Sequence, residues 1–485
     1  MRQLLVTAHV LGAFLGVFAL AFALPLAWSL AVEDGAHRGF AIAAAIAAVA
    51  GVTLWLPTRK LGRELQPRDG ALLVVMSWLS ATLVASVPFL LEMPEISFTD
   101  AFFESMAGLT TTGATVFSGL DYLPQSINIW RHALQWFGGM GIIVLAVAVL
   151  PLLGVGGMQL YKAETPGPMK EGKLTPRITQ TAKYLWLLYA GLTLACMLSL
   201  RLAGLSWFEA VCHAFSTLAL GGFSTRDASI GGIESLSVEL IMAAFMMIAV
   251  LNFATHFRAL SSRSPRAYLR DPEAVWVVTV VVFSCLMLAA FLYWKGVYPT
   301  FLGSLRHATF NTVSLATSSG FMSDDYGRWP LFESMWLLML ATIGSSTGST
   351  GGGIKMIRAI ILVRQAGHEL MRLIHPRAVR PLVVGGQVIE NRVVLAVLGY
   401  MLLWGVTTLV LTFALLATDM DFVTAFSVVV ACLNNLGPAL GDVGPSANYQ
   451  QLSDLQTWLM AVAMLAGRLE LLTFFVILTP AFWRK

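Results

Sequence analysis

Nine stretches of this chain carry no Asp, Glu, Lys or Arg: 3–32, 39–58, 70–91, 132–161, 184–200, 240–257, 274–294, 334–354 and 393–418. A tenth, from about 455 to 483, is interrupted only by Arg468 and Glu470. An apolar stretch of about 17–25 residues can span a bilayer as a helix, so the pattern predicts ten membrane spans. Only 12% of the 485 residues are charged, and 31 Lys+Arg stand against 27 Asp+Glu. Soluble domains run at about 25% charged. A water-soluble globule, a disordered chain and a nucleic-acid binder are therefore all excluded. The uncharged run after Arg2 exceeds the 7–15 residues or so of a signal-peptide core, which predicts a retained first span.

Sorting the connecting segments by the positive-inside rule concentrates Lys and Arg in 59–69, 162–183, 258–273 and 355–392, on the same side as both termini. The opposite segments are mostly acidic. The expected arrangement has cytoplasmic termini, a basic inner face and an acidic outer face that would gather cations.

Between spans on the outer side lie four shorter apolar segments: 98–109, 207–219, 301–316 and 422–433. Each runs into a small-residue tail with one glycine in register: TTTG-AT at 110–115, ALGG-FS at 219–224, TSSG-FM at 317–322 and NNLG-PA at 434–439. Twelve residues before Gly113, Gly222, Gly320 and Gly437 stand Ala101, Ala210, Ala308 and Ala425. The unit of span, short helix, glycine turn and span occurs four times, behind an N-terminal pair of spans. The expected fold is an all-α integral membrane protein. It has ten transmembrane helices and four re-entrant pore helices, as four pseudo-symmetric repeats around one pore. The boundaries read 1–60 for the hairpin, then 70–155, 183–258, 273–366 and 391–483 for the repeats.

Irregular backbone at membrane depth survives only when buried in protein or lining a cavity, and glycine enters unusual φ/ψ regions cheaply. Four such turns about one axis predict rings of backbone carbonyls, which can replace the hydration shell of an ion. The tails hold no Asp or Glu, which favours a weakly hydrated monovalent cation.

At this point the sequence resembles the Trk/Ktr/HKT family of potassium transporters, most closely its bacterial TrkH type. The four tails, the N-terminal hairpin, the glycine-rich run in the third repeat and the arginine of the last span carry the resemblance over nearly the whole chain. It implies that carbonyls before each glycine bind K⁺. The ion-site residues by position are Thr111, Thr112 and Gly113; Leu220, Gly221 and Gly222; Ser318, Ser319 and Gly320; and Asn435, Leu436 and Gly437. Sodium-permeable members hold Ser at the first glycine, where Gly113 stands here. Pro438 makes the fourth tail the largest departure. The resemblance also implies a bacterial inner-membrane homodimer and a cytoplasmic RCK-type regulatory subunit binding NAD or ATP. No organic cofactor is expected in this chain, and segments 162–183 and 355–392 are the expected docking surface.

The run from Gly344 to Gly353 contains Gly344, Ser345, Ser346, Thr347, Gly348, Gly351, Gly352 and Gly353. No strand precedes it and Ile354 rather than Gly precedes Lys355, which excludes a phosphate loop. Against a merely small-residue helix, the expectation is a broken helix beneath the pore that gates it. Arg468 stands in the last span, where a charge is costly. It is expected to face the pore below the tails and oppose cation entry, the alternative being a salt bridge with Glu470. Glu104 and Glu209 read as mostly solvated charges near the mouths, and His213 and His307 as polar packing residues. Cys196, Cys212, Cys285 and Cys432 read as core residues. The expected function is potassium uptake, with a cation-coupled secondary transporter of a small solute as the alternative. No nucleophile–base or metal constellation suggests an enzyme.

Overall fold

In this computed structural model, described over residues 2–59, 67–141, 178–376 and 381–484, helices account for all regular structure except one two-stranded hairpin. Helix α1 (Arg2–Phe18) continues through a 3-10 turn into α2 (Ala23–Val32), and α3 (His37–Thr58) returns beside them. Glycines set their spacing. A Cβ added to Gly12 would lie 2.7 Å from the Gly51 carbonyl oxygen, and one added to Gly51 would lie 2.7 Å from the Gly16 nitrogen. Small residues at such a seam let two backbones approach and gain dispersion contact that lipid does not supply.

The rest of the chain alternates long, short and interrupted helices. The long ones are α4 (Pro67–Ala85) with its continuation α5 (Val87–Glu92), α8 (Ile178–Leu202), α13 (Pro272–Trp294) and α17 (Asn391–Leu416). The short ones are α6 (Phe98–Leu109), α9 (Trp207–Ala219), α14 (Phe301–Ala316) and α18 (Phe422–Leu433). Each short helix starts at an N-cap whose side chain accepts a backbone N–H: Ser97 from Asp100, Ser206 from Glu209, Thr300 from Gly303 and Asp421 from Thr424. Such caps satisfy amides that a helix end leaves bare. From Ala101 to Leu109 every residue of α6 is buried. Ser216–Ala219, Phe310–Ala316 and Ser427–Leu433 are likewise buried, so the C-terminal turns of the four short helices are held inside the protein.

The third member of each group stops early. The four are α7 (Gln125–Gly139), α10 (Leu236–Ala249), α15 (Leu331–Ile343) and α19 (Asp454–Arg468). Gly138, Gly344 and Gly467, at the ends of α7, α15 and α19, lie against the carbonyls of Leu109, Ala316 and Leu433 at the ends of α6, α14 and α18. Helix α11 (Phe253–Ser262) leaves α10 at 92°, started by the Asn252 side chain, which accepts from Ala254 N–H at 2.8 Å. Helix α12 (Arg266–Arg270) then joins α11 to α13. Helix α20 (Leu472–Leu478) leaves α19 at 116°. The chain after α15 is not helical again until α16 (Met356–Ile374). The expectation of unbroken spans over 240–257 and 455–483 is corrected accordingly, whereas the break within 334–354 falls where the glycine-rich run predicts it. Among the described residues six helices are long and apolar enough to cross a membrane, or eight if each bent pair is one span, against ten expected. Apolar composition registers length in sequence and is blind to a break. The part of the expected span 132–161 beyond 141 lies outside the described residues, as does most of segment 162–183.

Between α16 and α17, Val383–Val384 pairs antiparallel with Gln387–Val388 around Gly385 and Gly386, both at positive φ. Two glycines with positive φ fit a tight hairpin turn, a feature the sequence reading did not foresee. All four cysteines are buried and unbonded.

The glycine seam generates a prediction. Gly51→Leu should overpack the α1/α3 contact at a cost of about 1–3 kcal/mol, read as a lower melting temperature of the detergent-solubilised protein, whereas Gly191→Leu, with open space around it, should not.

Candidate functional site

The four short helices end in the same way. Two residues before each glycine, the amide bonds back to the carbonyl three residues earlier: Thr111 to Gly108, Leu220 to Thr217, Ser318 to Leu315 and Asn435 to Cys432, at 2.9–3.2 Å. The next amide reaches five residues back: Thr112 to Ala107, Gly221 to Ser216, Ser319 to Ser314 and Leu436 to Ala431, at 2.8–3.0 Å. This is the Schellman termination, which places one residue in the left-handed region. That residue is Thr111, Leu220, Ser318 or Asn435, with φ of 55°, 55°, 59° and 53°. None is glycine, and left-handed backbone costs an L-residue about 1–2 kcal/mol. Four such residues at equivalent places are a localised strain of the kind found at functional sites.

The tails close on one another in order. A Cβ on Gly113 would collide with the Gly221 carbonyl oxygen, one on Gly222 with the Ser319 carbonyl, one on Gly320 with Pro438, and one on Gly437 with the backbone of Gly113. The first tail touches the second, the second the third, the third the fourth, and the fourth the first. Gly113, Gly222 and Gly320 have φ of 78°, 79° and 87°. Gly437 is not among the positive-φ glycines, because a following proline pushes the preceding residue toward extended backbone. Its carbonyl instead accepts the Tyr449 hydroxyl at 2.7 Å. At the two positions before each glycine the amides are committed to the helix ends. Of the carbonyls there, only that of Gly221 accepts a hydrogen bond from a described residue, Gln135 Nε2 at 2.6 Å.

The glycine-rich run lies against these tails. Gly352 N–H donates to the Ser318 hydroxyl at 2.8 Å, and the Thr350 hydroxyl donates to the Leu218 carbonyl at 2.9 Å. A Cβ on Gly352 would strike the Asn434 carbonyl and one on Gly344 the Ala316 carbonyl. The run's margins are tied elsewhere. Glu273, buried at the start of α13, accepts from Thr347 N–H at 3.0 Å and Ile357 N–H at 3.1 Å. Ser346 N–H donates to Val250 O, and Gly348 O accepts from Phe253 N–H at the α10/α11 corner.

Arg468 bridges this run to a distant helix. It donates to Thr350 O at 3.1 Å and to the carbonyls of Gly138 and Gly139 at the end of α7. Glu470 pairs instead with Arg358 at 2.6 Å, whose guanidinium lies 3.9 Å from the Tyr400 ring centre. Lys355 is buried and donates to Gly351 O. Beside the run, in addition to Arg468, thus stand two buried cations, Lys355 and Arg358.

Two further expectations are corrected. Glu104 is not solvated: it is fully buried and paired at 2.7 Å with Arg131, itself fully buried. Glu209 is mostly covered and pairs with Arg226 at 2.6 Å. Nothing in the local sequence distinguishes either pair from solvated charges. Gln135, one turn after Arg131, and Glu273 also hold the second tail and the run; in the sequence each is marked only as a polar residue inside or at the end of a long apolar run. Among the described residues no group of His, Cys, Asp and Glu could hold a metal ion as ligands.

Residues 36–485 match the family model described as TrkH, cation transport protein. The chain is similar to the Trk system potassium uptake protein TrkH of Escherichia coli K12, 47% identical over 94% of each chain. It is also similar to that of Halomonas elongata, 46% identical over 98% of each. The crystal structure of the potassium transporter TrkH from Vibrio parahaemolyticus superposes with a TM-score of 0.89 at 42% identity, covering all of this chain and 99% of that one.

The position of Arg468 generates a prediction about the loop. Charge-assisted hydrogen bonds contribute about 1.5–3 kcal/mol each, so Arg468→Ala should free the run. A cysteine at Ser349, which is partly exposed, should then react with a water-soluble thiol reagent about tenfold faster; an unchanged rate would mean that Arg468 does not hold the run.

Proposed function

The chain belongs to the TrkH family of cation transport proteins, and on that premise we propose that it takes up K⁺ across the bacterial inner membrane through a filter of backbone carbonyls. The single observation that carries the proposal is the closed ring of four tails. Their amides are tied back to the helices, which leaves oxygens as the groups available to an ion. The filter residues are the carbonyls of Thr111, Thr112, Leu220, Gly221, Ser318, Ser319, Asn435 and Leu436, with Gly113, Gly222, Gly320 and Gly437 setting the approach between strands. Carbonyl dipoles without carboxylates suit a monovalent ion that dehydrates easily. Glu104, on the first short helix, does not alter this, since Arg131 neutralises it.

In this reading the chain comprises the N-terminal hairpin and four units over 70–155, 183–258, 273–366 and 391–483, with α6, α9, α14 and α18 as pore helices. The run 344–353 and Arg468 form the gate. The run lies against the third and fourth tails and the end of α9, and Arg468 fastens it to α7, placing a fixed positive charge beside the path. A cation passing there meets both a steric and an electrostatic barrier. Opening then requires the run to leave Thr350's contact with Arg468 and Gly352's contact with Ser318.

The regulatory part is supplied by partners: a second copy of the chain, and a cytoplasmic nucleotide-binding subunit of the RCK type. The exposed end of α16, with Leu370, Leu373 and Ile374 uncovered, supports a docking role for 355–392. Both termini lie in the cytoplasm, as the basic segments require. A cation-coupled solute transporter would need an acid free to bind the coupling ion. Glu470, the acid within the last span, is committed to Arg358, which weighs against that alternative.

In liposomes the protein should pass K⁺ and Rb⁺ far faster than Na⁺, and comparable Na⁺ flux would contradict the proposal. Gly113→Ser, which puts a Cβ against the Gly221 carbonyl, should lower the K⁺/Na⁺ ratio severalfold. Arg468→Ala should raise basal K⁺ flux while leaving that ratio unchanged.

A further inference from the structure

Each tail leaves its glycine and climbs away from the ring beside its own short helix. Two to three residues past every glycine, that outgoing strand is held by a polar side chain from the short helix. The holding residue stands nine positions before the glycine in the first three units and ten before it in the fourth.

In the first unit Glu104 accepts the Val116 N–H and the Thr115 hydroxyl, both at 3.0 Å. In the second, His213 Nε2 lies 3.2 Å from the Ser224 hydroxyl. In the third, Asn311 Oδ1 accepts the Ser323 N–H at 3.1 Å and its amide donates to Asp324 O at 3.2 Å. In the fourth, the Ser427 hydroxyl accepts the Leu440 N–H at 3.0 Å and donates to Leu440 O at 3.3 Å. Four residue types, Glu, His, Asn and Ser, thus occupy one structural role. All four are buried.

The first of these clasps differs in carrying charge and in reaching a second unit. Arg131, paired with Glu104, also donates to the Thr115 hydroxyl at 3.1 Å and to the Ser224 carbonyl of the second strand at 3.3 Å. Its guanidinium lies 4.3 Å from the Phe223 ring centre. One turn further along α7, Gln135 donates to Gly221 O and accepts from Phe223 N–H at 3.3 Å. One face of α7 therefore braces the second tail from Gly221 to Ser224.

We propose that Glu104, His213, Asn311 and Ser427 are positioning residues of the ion filter, and that the Glu104–Arg131 pair, by locking the first and second strands together, is a determinant of ion selectivity. The proposal rests on the reading of the four tails as a filter. A ring of carbonyls discriminates between cations only while the spacing of its oxygens is held. Clasps outside the ring set that spacing without touching the ion. Removing one charge of a buried pair leaves the other unpaired and destabilises the fold, so the informative variant neutralises both.

The test measures K⁺/Na⁺ permeability ratios of the full-length protein in liposomes for Glu104→Gln with Arg131→Gln, for Asn311→Ala, and for Ser427→Ala with Ser427→Thr as its conservative counterpart. Losing one or two hydrogen bonds at a clasp should lower the ratio about threefold or more. Ser427→Thr should restore it, and Arg468→Ala should leave it unmoved. Folded clasp variants with unchanged ratios, alongside a Gly113→Ser variant whose ratio falls, would overturn the proposal and leave the filter reading standing. If Gly113→Ser is also without effect, the filter reading itself fails. Should the double variant aggregate, Asn311→Ala and Ser427→Ala decide: a fall supports the clasps, and no change in either overturns them.

Discussion

Backbone amides and carbonyls at membrane depth have no water to satisfy them, and most of this structure follows from how four irregular tails meet that constraint. Each tail returns its amides to the end of its own helix through a Schellman turn. That turn forces one residue into the left-handed region and frees the carbonyls beyond it. The strain at Thr111, Leu220, Ser318 and Asn435 is thus tied to the chemistry proposed for the ring: the same backbone fold that satisfies the donors exposes the acceptors. The ring in turn requires glycine where the neighbouring strand presses closest, most plainly at Gly113 against the Gly221 carbonyl.

The strained residues also explain how the tails communicate with what lies beside them. The Ser318 hydroxyl accepts from Gly352 in the glycine-rich run. The Asn435 amide donates to the Thr112 hydroxyl at 3.1 Å and to the Met464 carbonyl at 2.9 Å. Glycine at either position would ease the backbone and lose these bonds. The run is held from several elements at once: by Ser318 in the third tail, by Glu273 at the start of α13, by the α10/α11 corner and by Arg468. Two packings of a segment so anchored can differ through a small number of hydrogen bonds, which is what a two-state element requires.

Much of this was legible in the sequence because the relevant signals are local or periodic. Charge-free windows marked the membrane segments, and four glycines in register marked the tails. The run 344–353 announced that its helix would not continue. The family resemblance named positions that the structure brings into one ring. What escaped was of another kind. Arg131 and Glu104 stand twenty-seven positions apart, and nothing local distinguishes a buried pair from two charges at span boundaries. The partner of Glu470 is Arg358, which lies in another group of helices. The breaks after Ala249 and Arg468 depend on what packs below the ring, so composition alone extended those helices too far. The clasps were hidden by their diversity, since Glu, His, Asn and Ser share a role here only through the position of their acceptor atoms. Gly437 shows the limit of the repeat: its neighbour Pro438 was visible, but the consequence for φ and the compensating bond from Tyr449 needed the fold.

The central claim is that the four tails together form a cation site. Anomalous diffraction from crystals grown with Rb⁺ in place of K⁺ tests it most directly. The account predicts anomalous density on the axis between the carbonyls of Thr111, Thr112, Leu220, Gly221, Ser318, Ser319, Asn435 and Leu436. Density absent there, with Rb⁺ ordered instead among side chains elsewhere in the membrane region, would contradict it.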